Sequence, residues 1–367
     1  MPFETKEIGP ARPASPRTAD SYRYAIEYFK RDGTYLGPIL IQPDFQPAKD
    51  WAYFTGIRMG LPLVTAAAEG SVSPLWCEER GEPYLRGVRV DTPAVGLEGA
   101  AEVGEPVSCE IPKSYFESLA ERGSREWVDK GKLAAGELYT YRVCAYPIAT
   151  DFSEADTRRD GTDESIAFQV EAVSDPIPLM ESQLEAFLDR ATPEGEQFEA
   201  DVPVFIAQTV IDEVCALAEE AGDKETGGVL VGRLHRDSSK PEIFIEVVAQ
   251  IPAKHAEATG TSFSFTHETW AAADAAIELR GRGEIILGWH HTHPMFCNPA
   301  CPDERRKACV FGRPFFSDED IHLHRVCFPH PYQIALLISD LPDVGSTPAL
   351  FGWRSGIVSA RGYYAVS

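Results

Sequence analysis

The sequence has no run of about 18 apolar residues, so we predict no helix that crosses a membrane. Its first residues lack the apolar stretch of a secretory signal, and we expect residues 1–19 to be a proline-rich disordered tail. Basic residues are scarce, because 34 Lys and Arg stand against 57 Asp and Glu, a net charge of −23. This charge argues against nucleic acid and anionic membranes as partners. We predict a cytoplasmic protein whose charge serves solubility or a basic partner.

The eight cysteines fall into two groups. Four are scattered through apolar or strand-like segments and are predicted to be buried apolar side chains: Cys77, Cys109, Cys144 and Cys215. The other four lie within 31 residues: Cys297, Cys301, Cys309 and Cys327. A cytosolic chain keeps its thiols reduced, so a disulfide is a poor explanation for this cluster.

Hydrophobic patterning divides the chain into two folded parts and predicts an α+β fold class. Residues 20–178 alternate strand-like runs with Gly and Pro turns, contain one predicted helix, and show no catalytic constellation. We expect this β-rich part to recognise a substrate or partner. Residues 179–202 are predicted to be a linker with a short amphipathic helix. Residues 203–367 mix two amphipathic helices with about six strands, which predicts a mixed sheet flanked by helices.

The sequence GWHHTHP follows an apolar strand and contains a candidate metal site. Side chains alternate between the two faces of a strand, so His291 and His293 point the same way and His290 points away. Two imidazoles placed in this way can share a zinc ion, which prefers nitrogen ligands and keeps a water when catalytic. Alone, the pattern also fits a pair of surface histidines.

Two further segments carry carboxylates that such a site needs. Ser317 and Asp320 lie three residues apart in FFSDEDIHLH, the spacing of a helix start at which Ser317 is the cap. A helix start would hold Asp320 rigidly as a third ligand. Glu225 precedes the strand GGVLVG and is a candidate general acid/base outside the ligand set. On its own, Glu225 reads as an exposed loop residue.

Together these segments resemble the JAMM, or MPN-plus, zinc metalloproteases, over residues 203–367 only. The resemblance depends on a Glu before TGGVLVG, then HTHP, then Ser-x-x-Asp in that order, and is closest to prokaryotic-type members. It implies that His291, His293 and Asp320 bind catalytic zinc, that Glu225 moves the proton, and that Ser317 stabilises the oxyanion. It also implies cleavage of an isopeptide or peptide bond after the C-terminal glycines of a ubiquitin-like protein, with partners from a conjugation pathway.

The chain departs from that family in the 23 residues, 294–316, that separate His293 from Ser317, because the family's usual gap is much shorter. This insert contains three of the clustered cysteines, so we predict a second, structural zinc. A closed zinc site takes four Cys or His ligands. We predict Cys297, Cys301, Cys309 and His322, with Cys327 as an alternative fourth ligand and His324 as a less favoured one. The choice of His322 follows a resemblance to the AMSH-related deubiquitinases.

Other functions remain open from the sequence. The domain resembles MPN-type scaffolds that assemble complexes without catalysis, and it resembles metallohydrolases that act on sulfur-carrier proteins or small amide substrates. A cysteine nucleophile beside a histidine is a further alternative. It would leave Glu225, Ser317 and Asp320 without roles.

Overall fold

The structure is a computed structural model and describes residues 18–59, 70–92, 107–148, 178–240, 242–254, 257–258, 263–294, 312–341 and 344–367. Within these residues the chain forms two compact units. The first is built from the described residues up to 45, from 70 to 91 and from 108 to 148. The second is built from residues 46–59 and the described residues from 178 onward.

The first unit consists mainly of antiparallel strands. Its elements are β1 (Tyr22–Lys30), β2 (Tyr35–Ile41), β3 (Ser71–Trp76), β4 (Leu85–Asp91), β5 (Ser108–Pro112), α2 (Glu117–Asp129) and β6 (Tyr139–Pro147). Three of the strands form a sheet in the order β2-β1-β6, and the other three form a sheet in the order β3-β4-β5. The predicted turn joins β1 to β2, with Gly33 at a φ of 89°. Helix α2 lies against β1, where the buried Tyr28 hydroxyl donates to the carbonyl of Ala120 at 2.9 Å.

The second unit contains a ten-stranded mixed sheet. Its strands are β7 (Leu179–Glu181), β8 (Ala191–Glu194), β9 (Val204–Ala207), β10 (Gly227–Asp237), β11 (Glu242–Pro252), β14 (Ile285–His293), β15 (Ile334–Leu341), β16 (Gly345–Arg354), β17 (Ile357–Arg361) and β18 (Tyr363–Val366). Their order is β17-β16-β15-β14-β10-β11-β9-β18-β8, with β7 beside β10. A separate two-stranded ladder joins β12 (Glu257–Ala258) to β13 (Phe263–Ser264). Strand β14 is interior, antiparallel to β10 and parallel to β15.

Helices cover both faces of this sheet. They are α1 (Gln46–Arg58), α3 (Leu184–Leu188), α4 (Gln208–Ala221), α5 (His267–Arg280) and α6 (Asp318–Cys327). On one face, Val210 and Val214 of α4 pack with Leu230 and Leu336 of the sheet. On the other, Ala273 of α5 packs beside β10. Helix α5 begins after its cap, Thr266, whose hydroxyl accepts from the amide of Thr269. Helix α4 ends before Gly222, whose φ is 64°.

Two segments differ from the sequence-based description. Residues 179–202, predicted to be a linker with a short helix, contain that helix as α3 and also contribute β7 and β8, which pair with β10 and β18. Helix α1, from the part predicted to be an independent β-rich domain, packs in the second unit through the buried side chains Phe54 and Ile57. Residues 149–177, which belong to the part predicted to be β-rich, lie outside the described residues.

The α+β fold class is confirmed, with a β-rich N-terminal region and a mixed sheet flanked by helices in the C-terminal half. None of the helices in the described ranges combines the length and the apolar character needed to cross a bilayer. Of the four scattered cysteines, Cys144 is fully buried, and Cys77, Cys109 and Cys215 are half-buried.

Candidate metal centre

A bulge in β14 decides which face the histidines occupy. Gly288 opposes Leu230 and Ile286 opposes Val231, so Leu287 has no partner in β10. The extra residue reverses the alternation: Leu287 joins the core that contains α4, whereas Trp289 joins the apolar cluster that includes Phe328, just after α6. The φ of Gly288 is 153°, and a Cβ at this position would overlap the carbonyl oxygen of Ile334, so glycine is required.

His291 and His293 follow Trp289 on the same face and meet Asp320 from α6. The Nε2 atoms of His291 and His293 are 3.1 Å apart. His291 Nε2 lies 3.2 Å from Asp320 Oδ1, and His293 Nε2 lies 3.3 Å from Asp320 Oδ2. All three side chains are buried or nearly so. The donor atoms that the sequence assigned to one ion are therefore brought together.

These separations fit a zinc ion. Zinc binds imidazole nitrogen at about 2.0–2.1 Å and carboxylate oxygen at about 2.0–2.2 Å in tetrahedral sites, so neighbouring ligand atoms lie roughly 3.3–3.5 Å apart. The 3.1 Å between the two Nε2 atoms and the 3.2 and 3.3 Å to Asp320 are close to that range, although the last two distances end on different oxygens, Oδ1 and Oδ2. With one atom taken from each residue, the three donor atoms all lie within 4.8 Å of one another. The donor set, two nitrogens and a carboxylate, is also one that zinc accepts, and three protein ligands leave a fourth position open.

The start of α6 holds the carboxylate in place. The Ser317 hydroxyl accepts from the amide of Asp320 at 3.1 Å, and the amide of Ser317 donates to Asp320 Oδ2 at 2.8 Å. This reciprocal pair is a capping box, so the predicted helix start at Ser317 is confirmed. One oxygen of Asp320 therefore caps the helix and also faces His293, which ties the ligand's orientation to the helix start.

Glu225 lies beside the triangle without belonging to it. The segment before β10 is pinned to β14, because the amide of Thr226 donates to the Thr292 hydroxyl and the amide of Thr292 donates to the carbonyl of Thr226, both at 2.9 Å. Glu225 is consequently 5 % exposed rather than a surface residue. It is close enough to His293 and Asp320 for their charges to affect its ionisation.

Burial and charge set the ionisation of these groups in different directions. Burial raises the pKa of Glu225 to about 7; His293 opposes the shift and the negative charge of Asp320 adds to it. Burial also lowers the pKa of His291, which favours the neutral imidazole that binds metals. For Asp320, burial alone would raise the pKa, but the charge of His291 and hydrogen bonds from both histidines outweigh it and lower the pKa. Asp320 therefore stays ionised.

A cavity of about 290 Å³ reaches one member of the triangle, His293, whereas His291 and Asp320 do not line it. His293 and Pro294 form part of its wall. The rest comes from the ends of α4 and β15 and the beginning of β16, including Glu219, Asp340 and Ser346.

Aromatic side chains that sequence reasoning missed enclose the histidines. The Trp289 ring stacks on His291, with centroids 4.3 Å apart and an interplanar angle of 11°. The ring centroids of Phe315 and His293 are 4.9 Å apart, and those of Phe316 and His291 are 5.5 Å apart. The signal in the sequence was their position, since Trp289 is two residues before His291 and the two Phe residues directly precede Ser317.

His290 is placed apart from the triangle. Its Nε2 lies 3.2 Å from Gln250 Oε1 of β11. Burial lowers its pKa to about 3, so the ring is neutral and belongs to the interior of the sheet. This agrees with the face expected from strand alternation.

Most of the residues predicted to bind a structural zinc lie outside the described residues. Cys297, Cys301 and Cys309 are outside the described residues, so their arrangement stays a prediction. Of the remaining candidates on α6, His322 is exposed, Cys327 is half-buried and His324 is fully buried. The exposed position of His322 leaves it accessible to a neighbouring segment.

Comparison of the sequence with known protein families gives one match in the C-terminal half. Residues 201–303 match the family described as JAB1/Mov34/MPN/PAD-1 ubiquitin protease. None of the curated proteins matches this chain. Among solved structures, a solution structure of a protein from Desulfitobacterium hafniense is 23% identical, covers 43% of this chain and 89% of its own, and has a TM-score of 0.29. That TM-score is too low to support a conclusion about fold or function. The family match includes Glu225, His291 and His293, ends before Ser317, and supports an MPN/JAB domain in the C-terminal half.

Proposed function

We propose that the C-terminal half is a JAMM-type zinc metalloprotease that cleaves an isopeptide or peptide bond after the C-terminal glycines of a ubiquitin-like protein. The observation that carries the proposal is the triangle of His291, His293 and Asp320, whose donor atoms all lie within 4.8 Å of one another. Glu225 and Ser317 lie next to it in states suited to proton transfer and to donation. Non-catalytic members of such a family have no need for all five residues.

His291, His293 and Asp320 would hold the zinc ion. When bound, zinc supplies Lewis acidity, which lowers the pKa of water to about 7 and polarises a carbonyl group. The protein contributes the orientation of its ligands, which the Trp289 stack and the capping box restrict. It also contributes a buried environment in which electrostatic interactions are strong.

Glu225 would act as the general base and then as the general acid. Its carboxylate accepts a proton from the attacking water and later delivers it to the nitrogen of the leaving amine. A group suited to both steps needs a pKa near the working pH. Burial raises the pKa of Glu225 to about 7, well above the ordinary range of a glutamate.

Ser317 would donate a hydrogen bond to the substrate's oxyanion. Its oxygen already accepts from the amide of Asp320, so the hydroxyl hydrogen remains for another acceptor. The side chain is half-buried at the first turn of α6, close to the carboxylate ligand. Loss of one such donor costs typically about 2.7–4 kcal/mol of barrier height.

The substrate class follows from the cavity beside His293 and from the family description. The cavity of about 290 Å³ that His293 lines is narrow, and we propose that an extended tail of small residues enters it. The matched family is described as a ubiquitin protease. We place the activity in the cytoplasm, in a conjugation pathway, and assign recognition of the substrate or a partner to the β-rich unit.

The test compares zinc content and cleavage in wild type, Glu225→Gln and a control, Glu220→Gln. Glu220 is an exposed glutamate on α4. Purified full-length protein should contain zinc and release a ubiquitin-like protein from a C-terminal fusion. Glu225→Gln should keep the zinc and lose cleavage, whereas Glu220→Gln should behave as wild type. Equal cleavage by Glu225→Gln and wild type contradicts the mechanism.

Two other functions correspond to distinct outcomes of this test. A folded protein that binds no zinc and cleaves nothing would be an MPN-type scaffold. A zinc-containing protein that ignores ubiquitin-like fusions but hydrolyses a sulfur-carrier fusion or a small amide would keep the metal chemistry and change the substrate. A panel of carriers with Gly-Gly tails separates this metallohydrolase from the proposed ubiquitin-like isopeptidase.

A further inference from the structure

We propose that His324 is a positioning residue of the metal centre, which fixes the Trp289 indole and through it the ring of His291. This inference rests on the zinc site of the proposed function. His324 touches none of the three ligand side chains in the described contacts. Its effect is transmitted through the indole.

The indole forms one wall of the His291 ring. The two rings are nearly parallel, at 11°, with centroids 4.3 Å apart. Both side chains are fully buried, so neither ring can swing into solvent. The plane of His291 determines where its Nε2 points, and Nε2 is the atom that faces His293 and Asp320. The orientation of the indole therefore limits the direction of one metal ligand.

His324 fixes that indole with a buried hydrogen bond. The Trp289 Nε1–H donates to His324 Nδ1 at 3.0 Å. Nδ1 can accept only if it carries no proton. Burial lowers the pKa of His324 to about 3, so the imidazole is neutral at physiological pH. The ring is held from further sides by Phe328 and Trp353, with centroids at 5.9 and 5.5 Å.

Helix α6 and strand β14 contact each other through two residue pairs, and the distance between the pairs is similar along both elements. Asp320 and His324 are four residues apart on α6, which places them on one helix face about 6.0 Å apart along the axis. Trp289 and His291 are two residues apart on β14, which separates them by about 6.6 Å. The two helix residues therefore contact the two strand residues one to one. His324 accepts a hydrogen bond from Trp289, and Asp320 lies beside His291.

This double contact explains how α6 keeps its place after a long insert. Twenty-three residues, 294–316, separate His293 from Ser317, so the chain path alone does not determine where Asp320 lies. The hydrogen bond between Trp289 and His324 holds the helix against the strand one turn beyond the ligand. Outer contacts of this kind typically change metal affinity by about 10–100-fold when removed.

The experiment measures zinc affinity of the full-length protein by competition with a chromogenic chelator. His324→Leu removes the acceptor but retains an apolar side chain, and should weaken binding by about 10–100-fold. His324→Asn can present its side-chain oxygen near the position of Nδ1, and should restore most of the affinity. His267→Leu is the matched control, because His267 is exposed on α5, and should bind zinc as wild type does. The absorption of bound Co²⁺ should shift in His324→Leu alone.

Folded His324→Leu that binds zinc as tightly as wild type overturns the inference, as does an equal loss in His324→Leu and His324→Asn. If His324→Leu fails to fold, Trp289→Phe serves instead, because it keeps an aromatic ring and lacks the N–H; wild-type affinity there also overturns the inference. A folded wild type that binds no zinc rejects the proposed function and this inference with it. Zinc bound by wild type and unaffected in the variants rejects only the positioning role.

Discussion

Helix α1 belongs to the N-terminal half of the sequence, yet it packs within the unit that contains the candidate metal centre. Phe54 is 2 % exposed and its ring lies 6.0 Å from that of Tyr332, just before β15. Arg58 completes the docking through two bonds to the Glu242 carboxylate, at 2.8 and 2.9 Å. We predict that Phe54→Ala destabilises the second unit, because the buried ring leaves a cavity among residues of the sheet core.

The size of the effect follows from burial. Truncation of a fully buried phenylalanine to alanine costs about 3–5 kcal/mol of unfolding free energy. The matched control is Tyr53→Ala on the same helix, because Tyr53 is 37% exposed and should cost much less. Both variants keep the helix intact, since alanine is a good helix former.

The assay is urea unfolding of the full-length protein with excess chelator, so that bound zinc does not contribute. Proteolysis at each urea concentration, with fragments assigned by mass, reports the unit that contains residues 203–367. Phe54→Ala should lower the midpoint for these fragments, and removal of residues 1–178 should expose them to protease without urea. If Phe54→Ala costs no more than Tyr53→Ala, α1 does not stabilise this unit and the reasoning is refuted.

Three further predictions concern the site itself. Burial raises the pKa of Glu225 to about 7, and a bound cation would lower this pKa. Because the carboxylate is the form that accepts a proton, the rate of cleavage should rise with pH, with a midpoint at or below 7. A flat pH–rate profile would contradict this. Gly288→Ala would place a Cβ against the carbonyl of Ile334, so it should lower the free energy of unfolding by about 1–3 kcal/mol or more and reduce zinc content. Unchanged stability and metal stoichiometry would argue against the role of the bulge. The folded pKa of His324, about 3, lies below its ordinary 6.5, so the unfolded chain binds this proton more readily. Its contribution is intact above pH 6.5 and is lost as pH falls toward 3, by up to roughly 1.4 kcal/mol per pH unit. Zinc-free wild type should lose more stability between pH 7 and 4.5 than zinc-free His324→Asn, and equal losses in urea would contradict the assignment.

The sequence was sufficient where a local rule determines the outcome. Strand alternation placed His291 and His293 on one face, and the Ser-x-x-Asp spacing located the start of α6. Each of these depends on residues close together in the chain.

The rest depends on contacts between distant residues. Leu287 and Trp289 are two residues apart in a strand, so regular alternation would place them on the same face of the sheet. They lie in cores on opposite faces because β14 has a bulge, which is visible only in its pairing with β10. The burial of Glu225 depends on the Thr226–Thr292 pair, 66 residues apart. Residues 179–202 were predicted to be a linker with a short helix, because β7 and β8 are only three and four residues long and their pairing with β10 and β18 joins residues distant in the chain.

The capping box has a consequence for local unfolding. Because one carboxylate both caps α6 and faces the histidines, fraying of the first helical turn and loss of a metal ligand are the same event. An ion that binds only the closed form raises the free energy of that opening by RT ln(1 + [Zn]/Kd). Amide hydrogens at the start of α6 should therefore exchange with solvent at a rate set by the free zinc concentration. The helix terminus would report the metal supply of its surroundings as well as form part of the site.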